Sequence, residues 1–358
     1  MTSGSRILLD CRWLNIGGAG RLTELLAQGL AELRPPGTWV LWGPPGVETL
    51  AWAGSEVVLT SIDPRSAFGQ RSWSRIPPND LAVFMHQKRP LRPIPSVTVV
   101  LDTIPLRFAH GAVDRRSKEL FLRAVGRLSR RVITISEYSR RCIERDLGVA
   151  ADRISVVRLP LDWDLAERVH RLRADVKAQD VAIYVGNFGS HKNLPRLIEA
   201  FGRAAFSRTG GRLLLVGGSL GEVQELASRL TQRERSMVEL SPMCTRRQLE
   251  VHYAGALFLV QPSLEEGFGL PVWEALACGL PVCVSDGGAL PEVAKGLVEP
   301  FSATSVLAMA EALDACAERA RDLQAAGGPS PSEDLHRTAP DSKAFAQQFV
   351  AIVEQALA

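Results

Sequence analysis

No stretch of eighteen consecutive apolar residues occurs in the 358-residue chain, which argues against a membrane-spanning helix. The N-terminus, MTSGSRILLDCRW, lacks the basic, apolar and small-residue parts of a secretory leader, and a cytoplasmic protein is expected. Six cysteines, Cys11, Cys142, Cys244, Cys278, Cys283 and Cys316, include no C-x-x-C pair. A zinc ribbon or dithiol redox centre is therefore not expected, and buried free thiols are. The run GGAG at residues 17–20 lacks the G-x-G-x-x-G spacing, which argues against a dinucleotide dehydrogenase. Internal repeats and nucleic-acid-binding motifs are lacking too. Aromatic residues make up only 6%, and the seven tryptophans are expected in core or rim positions.

What is present is ordinary for a globular protein: 46% hydrophobic and 23% charged residues, in a chain long enough for two domains. The net charge of +3 conceals an asymmetry. Residues 1–164 hold 23 Lys and Arg against 16 Asp and Glu, a balance of +7, and the remainder holds 19 against 23, a balance of −4. A basic first half suits an anionic partner, whether a nucleotide, a lipid phosphate or an anionic membrane touched peripherally. A solvated arginine-rich surface is the alternative, notably for Arg115, Arg116, Lys118, Arg123, Arg127, Arg130 and Arg131.

Short apolar runs alternate with helical periodicity throughout. RILLD, TWVLWG, LAVFM, SVTVVLD and RVITIS read as buried strands; AGRLTELLAQGLAEL and SKELFLRAVGRLSR read as helices between them. The second half repeats the style with VAIYVG, LPRLIEAFGRAAF, GRLLLVGG, EVQELASRL, MVEL and ALFLVQPS. The expected class is α/β, with two Rossmann-like, doubly wound domains. Residues 1–160 form the first, 161–342 the second, and 343–358 a C-terminal helix packing back toward the first. The hinge is expected at 156–164. Residues 325–343, poor in apolar side chains, are expected to be a loop or partly disordered. Ligands of such a pair sit beyond the carboxyl ends of the strands, in the cleft between domains.

The most informative stretch is SLEEGFGLPVWEALACGLPV, residues 263–282. The strand ends at Gln261, so Glu266-Gly267-Phe268-Gly269 lies beyond a strand terminus, and Pro271 suits the first turn of a helix. The helix start offers free amide groups and its positive dipole end, worth about 0.3–1 kcal/mol when exposed, to a phosphate. Two acids would repel that phosphate. Their chemistry suits paired hydroxyls, so Glu274, one turn into the helix, and Glu266, at the loop entrance, bracket the phosphate with two hydroxyl-rich groups. Hydroxyls, phosphate, hydroxyls describe a nucleotide-sugar.

The block E-G-F-G-L-P-x-x-E-A-x-A-C-G-x-P-V resembles the E-x7-E signature of family 4 glycosyltransferases, retaining enzymes of GT-B fold. NIGGAGRLTELL, VTVVLDTIPLRF, VITISEYSRRCIERDLG, YVGNFGSHKNLPRLIEAF and VSDGGALPEV resemble further segments of that family in its order, over roughly residues 6–295. The resemblance implies that Glu274 holds the ribose hydroxyls and that Glu266 holds the donor sugar, with Gly267, Phe268, Gly269 and Leu270 supplying backbone amides. It implies that Lys192, in the loop with Gly186 and Asn187, binds the diphosphate, and that Gly17 and Gly18 form the loop closing on the donor. Glu266, Lys192 and Asp102 are the implied catalytic residues. Leu101 stands where the family often has His, and Asn187 where it often has Arg; His191 or Arg196 is a substitute cation nearby. The implied activity is metal-independent, cofactor-free, retaining transfer of a hexose-type sugar from a nucleoside diphosphate to a hydroxyl of a glycan, lipid-linked or small-molecule acceptor, the leaving phosphate taking the proton. A non-catalytic nucleotide-sugar binder or partner subunit is the alternative that Leu101 and Asn187 raise. A phosphorylase would need a pyridoxal-phosphate lysine or an inorganic-phosphate site, and neither is identified.

Overall fold

The structure, a computed structural model, describes residues 4–61, 76–176, 179–326, 335 and 339–358. The chain divides into two compact units, one of Met1–Pro160 with Ala339–Ala358 and one of Leu161–Thr338.

In the first unit seven parallel strands, β1 (Arg6–Asp10), β2 (Thr38–Gly43), β3 (Ser55–Leu59), β4 (Leu81–Phe84), β5 (Ser96–Val99), β6 (Arg131–Thr134) and β7 (Ile154–Val156), lie in the order β3-β2-β1-β4-β5-β6-β7. A parallel sheet is covered by helices on both faces, which is why RILLD, WVLW and LAVF are continuous apolar runs rather than alternating ones. Ile7, Leu8, Leu9, Val40 and Leu41 are completely buried. The helix Gly17–Leu33 connects β1 to β2, and the C-terminal helix Ser342–Leu357 packs in this unit beside it, burying Phe345, Phe349 and Val353.

In the second unit five parallel strands, β8 (Val181–Val185), β9 (Arg212–Gly218), β10 (Val238–Pro242), β11 (Phe258–Gln261) and β12 (Val282–Val284), take the order β10-β9-β8-β11-β12. The helices Leu194–Arg203 and Val306–Ala325 close its core over Tyr184, Leu213, Leu215, Phe258 and Val260. Both sheets reverse their winding beside their first strand, between β1 and β4 and between β8 and β11. Loops leaving the carboxyl ends of two such neighbours diverge in opposite directions and open a crevice.

Several elements escape a reading of apolar periodicity. Edge strand β3 leaves Val57 and Leu59 exposed, so its SEVVL is no buried run. The helix Trp163–Leu172 buries only Leu165, Ala166 and Val169, and Arg246–Gly255 buries the charged Glu250 while exposing Val251. Most of the 325–343 stretch lies outside the described residues.

Candidate active site

In the second unit the two loops flanking the winding reversal meet. The first leaves β8 at Val185, passes Gly186 and Asn187, turns through Ser190–Lys192 and enters the helix Leu194–Arg203. The second leaves β11 at Gln261 and enters the helix Leu270–Ala277 through Gly269. Gly269 precedes that helix at φ 102°, a left-handed conformation open to glycine, and Pro271 sits in the first turn, where its missing N–H costs nothing.

The loops are joined by an ion pair. Lys192 Nζ donates to Glu266 Oε1 at 2.5 Å, and the two side chains are only 11% and 9% exposed. The same oxygen accepts from Gln261 Nε2 at 2.7 Å and from Ser263 Oγ at 2.8 Å. Burial alone would push the Glu266 carboxyl up; the Lys192 charge and the donated hydrogen bonds outweigh it and hold the carboxyl below its ordinary range. Glu266 is therefore an ionised acceptor at neutral pH, and its orientation is fixed from three sides.

A second tie supports the first. Asn193, buried at φ 62°, donates through Nδ2 to the carbonyls of Pro262 at 3.0 Å and Ala303 at 2.8 Å, and its Oδ1 accepts from Arg196 at 2.6 Å. The backbone N–H of Leu264 donates to His191 O at 2.8 Å. From the other side Gly287 and Gly288 press on the Glu266 loop so closely that a Cβ on Gly287 would lie 2.0 Å from Ser263 O. Asn193, Gln261, Ser263, Gly287 and Gly288 were not singled out from the sequence. The one available signal for them was their position beside residues that were, immediately after a strand or within VSDGGALPEV.

Glu274 sits half-buried in the helix Leu270–Ala277 and accepts from the buried Tyr253 hydroxyl at 3.2 Å. Phe268 meets the Trp273 ring edge-on, centroids 5.7 Å apart, closing one side of the helix start. Asn187 serves its own loop: Oδ1 accepts from Gly189 N–H at 3.1 Å and its carbonyl from Tyr184 Oη at 2.6 Å. Of the two substitute cations expected near it, only Arg196 stands as one. Burial, then the Lys192 charge, lower His191 from the ordinary 6.5 to about 4 against the opposing pull of Glu266, so it is neutral at pH 7. Arg196 gives one of its five N–H donors to Asn193 Oδ1.

Gly17, Gly18 and Asp102 belong to the first unit. The glycine pair opens the helix Gly17–Leu33, and Asp102 accepts from Ile104 N–H, two residues on, at 3.0 Å in the turn before the short helix Ile104–Arg107. At the winding reversal of that sheet, His86, which follows β4, stacks on Trp13, which follows β1, at 3.9 Å. Burial, with the Lys88 and Arg12 charges, lowers His86 to about 3. Among the described residues no group of three or more His, Cys, Asp or Glu is placed to hold a metal ion.

The two histidines set a pH dependence. Both have depressed pKa values, so between pH 6.5 and about 4 the unfolded chain binds protons that the folded chain refuses. Stability is expected to fall as pH drops through that window. Urea unfolding at pH 7 and pH 4.5 checks this: the midpoint falls, and falls less when His86 and His191 are both replaced by glutamine.

Known proteins resemble this chain in part of its sequence and in its fold. Residues 170–325, within the second unit, match the family model described as Glycosyl transferases group 1. O-antigen chain mannosyltransferase B of Escherichia coli is 29% identical over 170 residues, 45% of this chain and 45% of that protein. D-inositol 3-phosphate glycosyltransferase of Mycobacteroides abscessus is 34% identical over 154 residues, 39% of this chain and 33% of that protein. The matches thus span half or less of these two relatives. Among solved structures, sucrose-phosphate synthase from Thermosynechococcus elongatus superposes with a TM-score of 0.73 at 19% identity, covering 98% of each chain. Anabaena HepE in complex with UDP and glucose gives 0.72 at 18% identity, covering 98% of this chain and all of that one. With its two Rossmann-like units the chain has the GT-B fold.

Proposed function

We propose that this chain is a retaining glycosyltransferase that moves a hexose-type sugar from a nucleoside diphosphate to an acceptor hydroxyl. The observation that carries the reading is the Lys192–Glu266 pair, held at 2.5 Å in nearly dry surroundings at the carboxyl ends of β8 and β11. An ammonium has three N–H donors; one goes to Glu266, and the others suit the diphosphate. As the bond from the sugar C1 to the phosphate oxygen breaks, negative charge gathers on the departing diphosphate. Lys192 and the amides opening the helix Leu270–Ala277 oppose that charge in low dielectric, the kind of fixed stabilisation that contributes most to such reactions. The new bond forms between C1 and the acceptor oxygen, and the acceptor proton passes to the leaving phosphate on the same face. The reaction so written needs no metal ion or cofactor. Glu266 takes donor-sugar hydroxyls and Glu274 the ribose hydroxyls, with Gly186 and Asn187 lining the same loop; Gly17, Gly18 and Asp102 contribute from the first unit.

The group 1 family match and the mannosyl- and glycosyltransferase names of the relatives support transfer, and the UDP and glucose bound by HepE support a nucleotide-sugar donor. The acceptor in this reading is a glycan, a glycolipid or a small molecule, met in the cytoplasm or at the inner face of a membrane. Among the described residues no helix is long and apolar enough to cross one.

A thermal-shift screen of UDP-, GDP-, ADP- and dTDP-sugars tests the reading, followed by incubation of the stabilising donor with acceptors and NMR of the product. One donor is expected to raise the Tm and to give a product with the donor's anomeric configuration. An inverted product would remove the same-face mechanism. Stabilisation without transfer across the acceptor panel would favour the non-catalytic binder that Leu101 and Asn187 suggest.

A further inference from the structure

The first unit contains a polar cleft of about 460 Å³ away from its sheet reversal. Four arginines from three helices converge on it: Arg107 of Ile104–Arg107, Arg115 and Arg123 of Ala112–Leu128, and Arg145 of Glu137–Leu147. Only two carboxylates, Glu119 and Asp146, share the lining, which leaves an excess of two positive charges. Both carboxylates are already engaged. Glu119 pairs with Arg123 at 3.0 Å; Asp146 pairs with Arg145 at 2.6 Å and accepts from Thr103 Oγ1 at 2.8 Å. Arg107 is aimed by its hydrogen bonds to Tyr138 Oη at 2.7 Å and Cys142 Sγ at 3.3 Å. Arg115 makes no ion pair among the described residues, and the Nε of Arg123 is buried without a hydrogen-bond partner there. A merely solvated basic helix would spread its arginines over a convex face. Here guanidinium groups from three elements face one concavity.

We propose that this cleft binds a phosphate monoester. Guanidinium forks match phosphate oxygens in pairs, and a doubly ionised monoester matches the two excess charges, whereas a carboxylate or a phosphodiester matches one. The inference concerns binding alone and stands apart from the transfer reaction proposed above. The phosphate is carried either by a soluble molecule or by a lipid headgroup, and the experiment separates these sources.

Calorimetric titration with glycerol 1-phosphate at pH 7.5 forms one arm. Flotation with phosphatidylcholine vesicles containing phosphatidic acid forms the other, with phosphatidylglycerol vesicles as the diester control. Saturable binding is expected in at least one arm, weakened at least tenfold in the double variant Arg115→Gln, Arg123→Gln. Because the second phosphate ionisation lies near pH 6, binding should also weaken between pH 7.5 and pH 5.5. The Tm shift given by whichever nucleotide-sugar stabilises the parent should be the same in the variant, which separates this cleft from the second unit. Binding in the soluble arm assigns a small phosphorylated ligand, and binding in the vesicle arm alone assigns a lipid. Absence of binding in both arms, or equal binding by the double variant, overturns the proposal. Should the double variant fail to fold, Arg115→Lys alone is used, with a smaller loss expected; an unchanged affinity then overturns it equally.

Discussion

Replacing Lys192 by alanine is expected to lower glycosyl transfer by about a hundredfold to a thousandfold and to destabilise the protein by about 3–5 kcal/mol. The first figure is what removing one fixed donor from a site of developing charge costs. The second has a different origin. With Lys192 gone, Glu266 keeps its burial and the hydrogen bonds from Gln261 and Ser263 but loses its counter-charge, and an unpaired buried carboxylate must either stay ionised at high cost or take up a proton. The two effects separate in the double variant Lys192→Met, Glu266→Gln. The amide oxygen of the introduced glutamine still accepts from Gln261 and Ser263, and methionine fills the space of the lysine stem. Most of the lost stability should return while transfer stays low. The pH dependence has a definite sign. The folded Glu266 pKa lies below the unfolded value, so the pair's contribution is fully present above about pH 4.3 and fades as pH falls through the lower folded value. Urea unfolding at pH 7 and pH 3, beside initial transfer rates, reads all of this. If Lys192→Ala unfolds with the parent's midpoint, the pair is not the dry contact described here.

What could be read from the sequence follows from which physical signals are local. The alternation of buried apolar runs with helical periodicity belongs to short windows, so two doubly wound α/β units were legible in VAIYVG and RILLD. The loop at 263–282 was legible because glycine, proline and two acids beyond a strand end have a local chemical sense. The ties that make the site rigid were not. Asn193 reaches carbonyls 69 and 110 residues further along the chain, and nothing near it in sequence announces those partners. The Lys192–Glu266 contact likewise joins residues 74 apart, and each was singled out for a ligand rather than for the other. His191 misled for the same reason. A histidine beside a lysine reads as a second cation, and only burial, a property of the folded unit, makes it neutral.

The second large effect is expected from a single methyl group. In Gly287→Ala the new Cβ would lie 2.0 Å from Ser263 O and 2.9 Å from Leu264 C, both backbone atoms that cannot rotate aside as a side-chain tip would. The next residue is equally confined: Gly288 holds φ +66° with its own Cβ position 2.3 Å from Glu266 O. Relief therefore requires the 263–266 loop to move away from the Gly287–Gly288 turn. That motion would strain the bonds joining them, Ser285 Oγ to Ser263 O at 2.6 Å and Ala289 N–H to Glu266 O at 2.9 Å. Overpacking of this kind costs about 1–3 kcal/mol, and lost hydrogen bonds at buried carbonyls add about 1 kcal/mol each. Because the displaced backbone is that of Glu266 itself, donor affinity should fall as well, even in the fraction that stays folded. Gly221→Ala is the matched control. Its Cβ meets nothing within 4 Å and it lies in the helix Leu220–Arg229, so the same change should raise stability by about 0.5 kcal/mol and leave the donor-induced Tm shift untouched. Opposite signs from one substitution at two glycines of the same unit would locate the Gly287 effect in the close approach to Ser263; equal, small effects at both would mean that the Glu266 loop does not depend on it.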